Sequence, residues 1–216
     1  MNGRIITIAH QKGGVGKSTI AANLAVELSK LHPTKILDMD VQRSLSAFAT
    51  SRGDRSPKLN MLPVVAKPET LMKMMNEHEE GILLIDTGGF DVDIQRIAMY
   101  GADLIITPVG DSPAELHGLS VFEETIQKLR ESRPDLKASI VLNRVHMFAG
   151  KSLDDLMKGI IVSTNNSFEP MGAVLRDRKA FKESFYKGES VVEMDKNSEA
   201  AKEIKMLIDD ILKRLQ

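Results

Sequence analysis

The sequence predicts an α/β fold, namely a doubly wound, mostly parallel sheet with helices on both faces. Short apolar runs alternate along the chain with longer stretches of helical periodicity. Several of the runs, such as residues 82–85, are apolar at every position, which is typical of strands covered by helices on both sides. A glycine-rich segment also joins the first apolar run to the first helical stretch. We expect a single domain over residues 1–216.

Seven apolar runs are candidate strands. They span residues 4–9, 35–39, 62–66, 81–86, 103–108, 138–143 and 171–175. Apolar residues three or four positions apart predict two long helices, over residues 17–31 and 113–133. Pro113 stands in the first turn of the second helix, where a backbone N–H is not needed. Residues 51–60 contain Gly53 and Pro57 and are predicted to be a loop.

A third long helix is predicted over residues 198–215, and its apolar stripe admits two interpretations. The stripe consists of Ile204, Leu207, Ile208, Ile211, Leu212 and Leu215. It fits a closing helix packed on the sheet, or a helix lying on a membrane surface. Asp209 and Asp210, and the absence of an aromatic residue on the apolar side, favour the packed helix.

The composition excludes several classes of function. The 216 residues include no cysteine, which removes disulfides, thiolate catalysis and cysteine-ligated zinc or iron–sulfur sites. The formal net charge is −1, so the chain is not a globally basic nucleic-acid binder and has room only for a local basic face. No run approaches the roughly 18 apolar residues of a membrane span.

A phosphate-binding P-loop is predicted where the first strand meets the first helix. The segment there reads Lys12-Gly13-Gly14-Val15-Gly16-Lys17-Ser18-Thr19. Glycines let backbone N–H groups curl around phosphate oxygens, and the helix N-terminus adds a partial positive charge. In such a loop Lys17 reaches the β- and γ-phosphates and the Ser18 hydroxyl is a ligand of Mg²⁺. We therefore predict that residues 13–19 bind a nucleotide.

The P-loop departs from the common pattern, in which a glycine stands five places before the final Gly-Lys-Ser. Gln11 occupies that place and an extra lysine, Lys12, follows it. The segment resembles the deviant Walker A motif of the ParA/MinD family of P-loop ATPases. The resemblance implies that Lys12 reaches across a dimer to the partner's nucleotide, while Lys17 binds phosphate in its own subunit. A second cation suits this chemistry because it neutralises charge on the transferred phosphoryl group.

Two acidic strand ends extend the resemblance. The first, Leu37-Asp38-Met39-Asp40-Val41-Gln42, is similar to the family's switch I segment, although Val41 stands where proline is usual. The similarity implies that Asp40 orients or activates the attacking water and that Asp38 supports the Mg²⁺ shell. Taken alone, the two residues also fit solvated carboxylates at a strand end.

The second acidic strand end follows the apolar residues 82–85. An acid in the position of Asp86 commonly holds Mg²⁺. Gly88 and Gly89 would let the following loop approach the γ-phosphate. Asn143 ends a later strand, where the family often recognises the base. Its amide could pair with adenine or cap the next loop. ATP or ADP with Mg²⁺ are the cofactors implied.

The closest match within the family is a short ParA partition ATPase without a DNA-reading domain. That match implies a cytoplasmic homodimer that forms on ATP, binds DNA nonspecifically on the nucleoid, does not bind membranes, and is stimulated by a ParB-like centromere-binding partner. Candidate DNA contacts are Arg176, Arg178, Lys179 and Lys182, although these charges also fit an ordinary solvated face. Two alternatives stay open: positioning of a protein cargo, and a metabolic synthetase or kinase on the same fold.

Overall fold

The structure, a computed structural model, describes residues 2–88, 92–146 and 153–216. Its strands are β1 (Arg4–Ile8), β2 (Thr34–Met39), β3 (Asn60–Met61), β4 (Ile82–Thr87), β5 (Leu104–Val109), β6 (Ala138–Val145) and β7 (Glu169–Arg176). They form one sheet in the order β3-β2-β4-β1-β5-β6-β7, and every neighbouring pair is parallel. The predicted fold class is confirmed. Antiparallel pairing in the described ranges is limited to an isolated bridge between Asn2 and Glu80.

Helices cover both faces of the sheet. They are α1 (Lys17–Leu31), α2 (Ser44–Arg52), α3 (Pro68–Asn76), α4 (Val92–Tyr100), α5 (Pro113–Ser132), α6 (Leu153–Ser163), α7 (Lys179–Lys187), α8 (Val191–Met194) and α9 (Glu199–Arg214). Successive strand residues point to opposite faces. In β1, Ile6 and Ile8 pack into the core beneath α1, α2, α8 and α9, whereas Ile5 packs into the core beneath α3 to α6.

The carboxyl ends of the strands meet at one edge, which positions the predicted site. β1 ends at Ile8, whose register partner on β4 is Asp86. Asp38 on β2 is paired with the same Asp86. Strands of higher number lie on both sides of β1, so the chain changes its winding direction there, which in open α/β sheets creates a binding crevice. The acids and the glycine loop therefore converge at this edge.

One predicted strand is wrong. Residues 62–66 lie outside the strands, and the edge strand β3 ends at Met61. The Leu62 N–H still donates to the Ile36 carbonyl at 2.8 Å. The ring of the next residue, Pro63, fixes φ near roughly −65°, whereas a parallel strand needs a φ of about −120°. The other predicted strands are correct to within two residues at each end, and α1 has the predicted bounds.

The final helix, α9, packs on the sheet as the sequence favours. Ile204, Leu207 and Ile211 have no exposed surface and lie in the same core as α1, whereas Met206 is 53% exposed. Arg214 pairs with Asp210 and with Glu169 of β7. The apolar stripe is therefore inside the protein and is not available to a membrane surface. None of the described helices combines the length and hydrophobicity of a membrane span.

Truncating the buried side of α9 tests this packing. We expect Leu207→Ala to lower the free energy of unfolding by about 2–5 kcal/mol, because it leaves a cavity in the core. The neighbouring exposed change, Met206→Ala, should stay within about 0.5 kcal/mol of wild type. Urea unfolding followed by circular dichroism measures both. Equal losses for the two variants would contradict the burial of this stripe.

Candidate functional site

The P-loop connects β1 to α1 in a backbone conformation that requires glycine. Gly14 has φ +77° and Gly16 has φ +95°, values in the left-handed region that glycine adopts without a steric penalty. A Cβ atom on Gly16 would also clash with the Asn143 Nδ2 atom. The glycines singled out by the sequence are thus needed both for chain direction and for close packing against β6.

Three P-loop carbonyls are held by side-chain donors. Asn143 Nδ2 donates to the Val15 carbonyl at 2.7 Å, and Arg144 Nη1 donates to the Gly14 carbonyl at 2.7 Å. Lys17 Nζ donates to the Lys12 carbonyl at 3.1 Å.

The amides at the start of α1 are directed differently from these carbonyls. The Ile20 N–H is bonded within the helix, to the Gly16 carbonyl at 3.0 Å, whereas the amides of the first turn have no helical acceptor. Such free N–H groups, with the partial positive charge of a helix start, form an anion site. Thus the loop residues predicted to bind nucleotide, namely Gly13, Gly14, Val15, Gly16, Lys17, Ser18 and Thr19, have the backbone arrangement of a phosphate cradle.

Lys17 lies inside the site beside two acids. The residue is 5% exposed, and burial lowers the pKa of its ammonium group, while Asp86 and Asp40 oppose that change. A partly desolvated ammonium without a close ion pair gains much from an approaching phosphate, because the interaction is weakly screened. The position and charge of Lys17 fit its predicted phosphate-binding role.

Asp86 is a buried carboxyl group that lacks hydrogen-bond partners. It has no exposed surface, and neither carboxyl oxygen completes a hydrogen bond in the described part of the chain. Burial is the main cause that raises the pKa of Asp86 to about 7; Asp38 and Asp40 act in the same direction, and the nearby Ser18 hydroxyl and Lys17 oppose it. An unpartnered buried carboxyl beside a hydroxyl is a fit for Mg²⁺, which prefers oxygen ligands.

The protein offers Mg²⁺ only part of a coordination shell. Over residues 2–88, 92–146 and 153–216, no three His, Cys, Asp or Glu side chains are arranged to hold a metal ion. Mg²⁺ at nucleotide sites commonly takes one or two protein ligands and completes its shell with phosphate oxygens and water. Ser18 and Asp86 would hold the ion in that manner.

Asp38 has a structural partner that the sequence did not reveal. Its Oδ2 atom accepts hydrogen bonds from the Ser46 N–H at 2.8 Å and the Ser46 hydroxyl at 2.6 Å. Its Oδ1 atom accepts from the Asp40 N–H at 3.1 Å. Asp38 therefore ties the start of α2 to the end of β2. Its support of the Mg²⁺ shell stays a prediction.

Asp40 stands at the mouth of the P-loop. Its Oδ1 atom accepts from the Gln42 N–H at 3.0 Å. The chain after β4 passes close by, since a Cβ atom on Gly88 would lie 3.3 Å from that oxygen. Gly89, the second glycine of the predicted switch, lies outside the described residues. Asp40 and Gly88 are thus together at the place where a γ-phosphate would reach.

A cavity of about 370 Å³ opens in front of these groups. Its lining combines the P-loop with the start of the switch I region and one aromatic residue of α7: Gly13, Gly14, Gly16, Lys17, Ser18, Thr19, Asp40, Gln42, Ser44 and Phe185. Phe185 was not found by sequence reasoning. The centroid of its ring lies 5.3 Å from the centroid of the Phe48 ring on α2. This contact joins distant segments of the chain, so no local sequence pattern predicts it.

A second cavity, of about 230 Å³, lies beside the first between the end of β6 and α7. It shares Gly14, Gly16 and Thr19 with the first cavity, and its other lining residues are Asn143, Arg144, Arg176, Asp177, Arg178, Phe181 and Lys182. Asn143 is therefore near the expected base position, but its amide nitrogen is already bonded to the P-loop. Its oxygen can accept from a base, and one N–H of the amide is taken by the Val15 carbonyl.

Arg144 is a site residue that the sequence analysis did not select. It has φ +57°, which is unusual for a residue with a side chain, and it reaches from the end of β6 to the Gly14 carbonyl. The sequence offered one indication that Arg144 belongs to the site, namely its position next to Asn143.

The four predicted DNA contacts separate into two groups. Arg176 and Arg178 line the 230 Å³ cavity, and the Arg178 guanidinium is 2.7 Å from Glu203. Lys179 is 87% exposed and pairs with Glu183 at 2.7 Å, an exposed ion pair that contributes little. Lys182 is exposed. Of the four, Lys179 and Lys182 on α7 are the exposed cations, and Lys182 also lines the 230 Å³ cavity. The pairing of Arg178 with Glu203 accounts for one of the two arginines.

A further cavity, of about 690 Å³, lies away from the phosphate cradle. It is bounded by the ends of α3, α4 and α5 and is lined mainly by apolar side chains such as Met75, Ile97 and Leu129. Those helix ends precede the amino ends of strands, at the opposite edge of the sheet from the P-loop. It contains no acid and no glycine loop, so the chemistry is located at the smaller cavities.

A family model and a relative each match most of this chain. Residues 6–191 match the CobQ/CobB/MinD/ParA nucleotide binding domain. The Maintenance of carboxysome distribution protein A of Halothiobacillus neapolitanus is 23% identical over 96% of this chain and 95% of its own length.

Two solved structures show the same fold. The septum site-determining protein MinD of Pyrococcus horikoshii, in complex with Mg-ADP, superposes with a TM-score of 0.73 at 19% identity, covering 97% of this chain and 96% of that one. A plasmid partition protein of Borrelia burgdorferi superposes with a TM-score of 0.70 at 20% identity, covering 99% of this chain and 100% of that one.

The ionisation of Asp86 gives a pH test of the site. Because the folded-state pKa is raised, the folded protein holds a proton that the unfolded chain releases near pH 4, and stability falls as the pH rises towards 7. Asp86→Asn cannot ionise, so its stability relative to wild type should increase by about 2–3 kcal/mol between pH 5 and pH 8. Urea unfolding without nucleotide or Mg²⁺ measures this. A difference that does not change with pH would contradict the buried, unpaired carboxyl.

Proposed function

Because the chain belongs to the CobQ/CobB/MinD/ParA nucleotide-binding family and is an ATPase that uses ATP with Mg²⁺, we propose that it is a ParA-like molecular switch. ATP joins two subunits face to face, and the dimer binds DNA without sequence preference. Hydrolysis, stimulated by a cargo-bound partner, releases the dimer and so moves the cargo. The observation that carries this proposal is the joint presence of Lys12, Lys17 and Asp40 around one phosphate cradle.

Each of the three residues has a distinct task in this mechanism. Lys17, in the buried centre of the site, neutralises the β- and γ-phosphates of its own nucleotide. Asp40, at the mouth beside Gly88, orients the attacking water. Lys12 extends its charge to the nucleotide of the partner subunit, which makes hydrolysis depend on dimerisation. Ser18 and Asp86 would hold Mg²⁺, which would supply positive charge to offset that of the phosphates.

The base of the nucleotide occupies the cavity between the end of β6 and α7. In this proposal the Asn143 side chain, which lines that cavity, accepts from an exocyclic amine through its oxygen. Arg144 is bonded to the Gly14 carbonyl and lines the same cavity, so base binding and phosphate binding share one rigid segment.

The DNA-binding surface is the solvent-facing side of α7. Lys179 and Lys182 lie on it, and Lys187 is the last residue of the helix. The whole chain has a net charge of −1, so a single copy offers few phosphate contacts, and a dimer would double them. Nonspecific binding of this kind is electrostatic and depends strongly on salt. It accounts for association with the nucleoid in the ATP state.

Two kinds of cargo fit the proposed switch. A plasmid or chromosome, carried through a ParB-like centromere-binding partner, is the first. A protein cargo is the second, and the match over nearly the full length to a carboxysome distribution protein favours it. A metabolic synthetase or kinase on this fold would instead need a small acceptor and would not respond to DNA.

DNA binding under three nucleotide conditions tests the proposed switch. We expect binding of a fluorescent duplex to be tighter with ATP than with ADP or without nucleotide, and to weaken steeply between two salt concentrations. Fluorescence anisotropy measures this. Binding that is indifferent to nucleotide would contradict the switch, and Lys17→Ala should lose the ATP effect because it cannot hold the phosphates.

Two lysine variants form the matched pair for the DNA surface. Lys182→Ala should lower the slope of log affinity against log salt by about two, because each subunit of the dimer loses one phosphate contact. Lys73→Ala removes an exposed charge from α3, on the other face of the sheet, and should leave the slope unchanged. If the two variants have equal slopes, α7 is not part of the DNA-binding surface.

A further inference from the structure

His10 is a buried polar residue at the end of β1 that the proposed mechanism does not use. It has no exposed surface. Its ring stacks on Phe122 of α5, with ring centroids 5.6 Å apart and planes inclined by 8°. The Nδ1 atom accepts the Lys12 N–H at 2.9 Å, whereas Nε2 has no partner in the described part of the chain.

The hydrogen bond to Lys12 fixes the tautomer of His10. Nδ1 must carry no proton in order to accept, so the ring is neutral and its proton is on Nε2. Burial, assisted by Lys17 and Lys12, lowers the pKa of His10 to about 4, so this form persists at neutral pH. Among residues 2–88, 92–146 and 153–216 the buried Nε2–H finds no acceptor, which is unfavourable. An apolar side chain of similar size would avoid that loss, so packing alone does not account for histidine.

The Lys12 residue is held at three points, and His10 supplies one of them. Its N–H is bonded to His10 and its carbonyl to the Lys17 ammonium. Its aliphatic stem runs along α5, since a Cβ atom on Gly118 would lie 3.8 Å from the Lys12 Cβ and Cδ atoms. The direction in which the Lys12 side chain leaves the subunit is therefore set by the peptide group that His10 anchors.

We infer that His10 is a positioning residue for Lys12, which it holds so that the ammonium group reaches the nucleotide of the partner subunit. This role rests on the proposed action of Lys12 across the dimer. A long side chain that acts at a distance depends on the placement of its backbone, and a shift of about 1 Å in a catalytic group can cost up to roughly 100-fold in rate.

Two substitutions separate the acceptor from the packing. In His10→Asn, the side-chain oxygen is attached to Cγ, as Nδ1 is in histidine, and can accept from the Lys12 N–H. In His10→Leu, the apolar contact with Phe122 is kept and the acceptor is lost. We expect the affinity for ATP to stay within about twofold of wild type in both. ATP turnover should fall roughly tenfold or more in His10→Leu and return to within about threefold of wild type in His10→Asn.

Mixed dimers test whether His10 serves its own site or that of the partner. His10→Leu protein is titrated with Asp40→Ala protein, which cannot hydrolyse ATP but keeps His10 and Lys12. In the mixed dimer, the site of the His10→Leu subunit has Asp40 and receives Lys12 from the other subunit. Turnover per His10→Leu subunit should therefore rise towards wild type. Mixing Lys12→Ala with Asp40→Ala is the control for action across the dimer and should give the same rise.

The two mixtures distinguish the positioning role of His10 from the action of Lys12 across the dimer. A rise in the Lys12→Ala mixture without a rise in the His10→Leu mixture overturns the positioning role and leaves the action of Lys12 intact. The absence of a rise in both mixtures overturns the action of Lys12 across the dimer and the role of His10 with it. A His10→Asn variant as slow as His10→Leu shows that the acceptor is not what matters, and likewise overturns the positioning role.

Discussion

The hydrogen bonds from the end of β6 to the P-loop are the constraint on which the site depends. Asn143 and Arg144 bind the carbonyls of Val15 and Gly14, so the loop presents its amides to an anion. A glycine loop without such anchors would sample many conformations, because glycine restricts the backbone least. The same two residues line the cavity beside α7. The segment that orients the phosphate cradle therefore also forms a wall of the proposed base site.

The buried charged groups of the site are arranged so that a bound ligand would provide their missing partners. Within the described residues, Asp86 is buried without a hydrogen-bond partner, and its register neighbour Asp38 is also an acid. Lys17 is desolvated, and its ammonium group donates to the Lys12 carbonyl. Each of these features destabilises the protein on its own. Mg²⁺ and phosphate would satisfy them together, so nucleotide binding should stabilise the fold. Such a site makes the protein without nucleotide less stable, and it increases the affinity for the nucleotide.

Much of this arrangement follows from local sequence. Periodicity and continuous apolar runs predict the fold class and α1, because buried parallel strands and amphipathic helices leave strong local patterns. The P-loop and the acids at strand ends are equally local. Contacts between distant segments have no such signal. The bond from Asn143 to Val15, the use of Asp38 to hold α2, and the pairing of Arg178 with Glu203 all depend on tertiary structure. The end of β3 coincides with a single residue, Pro63, whose ring restricts the backbone within an apolar run.

The central claim is that ATP joins two copies of this chain through residues that one copy alone does not complete. The most direct measurement is the molar mass of the Asp40→Ala protein by light scattering coupled to gel filtration, with Mg²⁺ and either ATP or ADP. The variant should retain ATP because it cannot hydrolyse it. A mass of about twice 23.9 kDa with ATP, and a single-chain mass with ADP, is the result we predict. A single-chain mass in saturating ATP would contradict the claim.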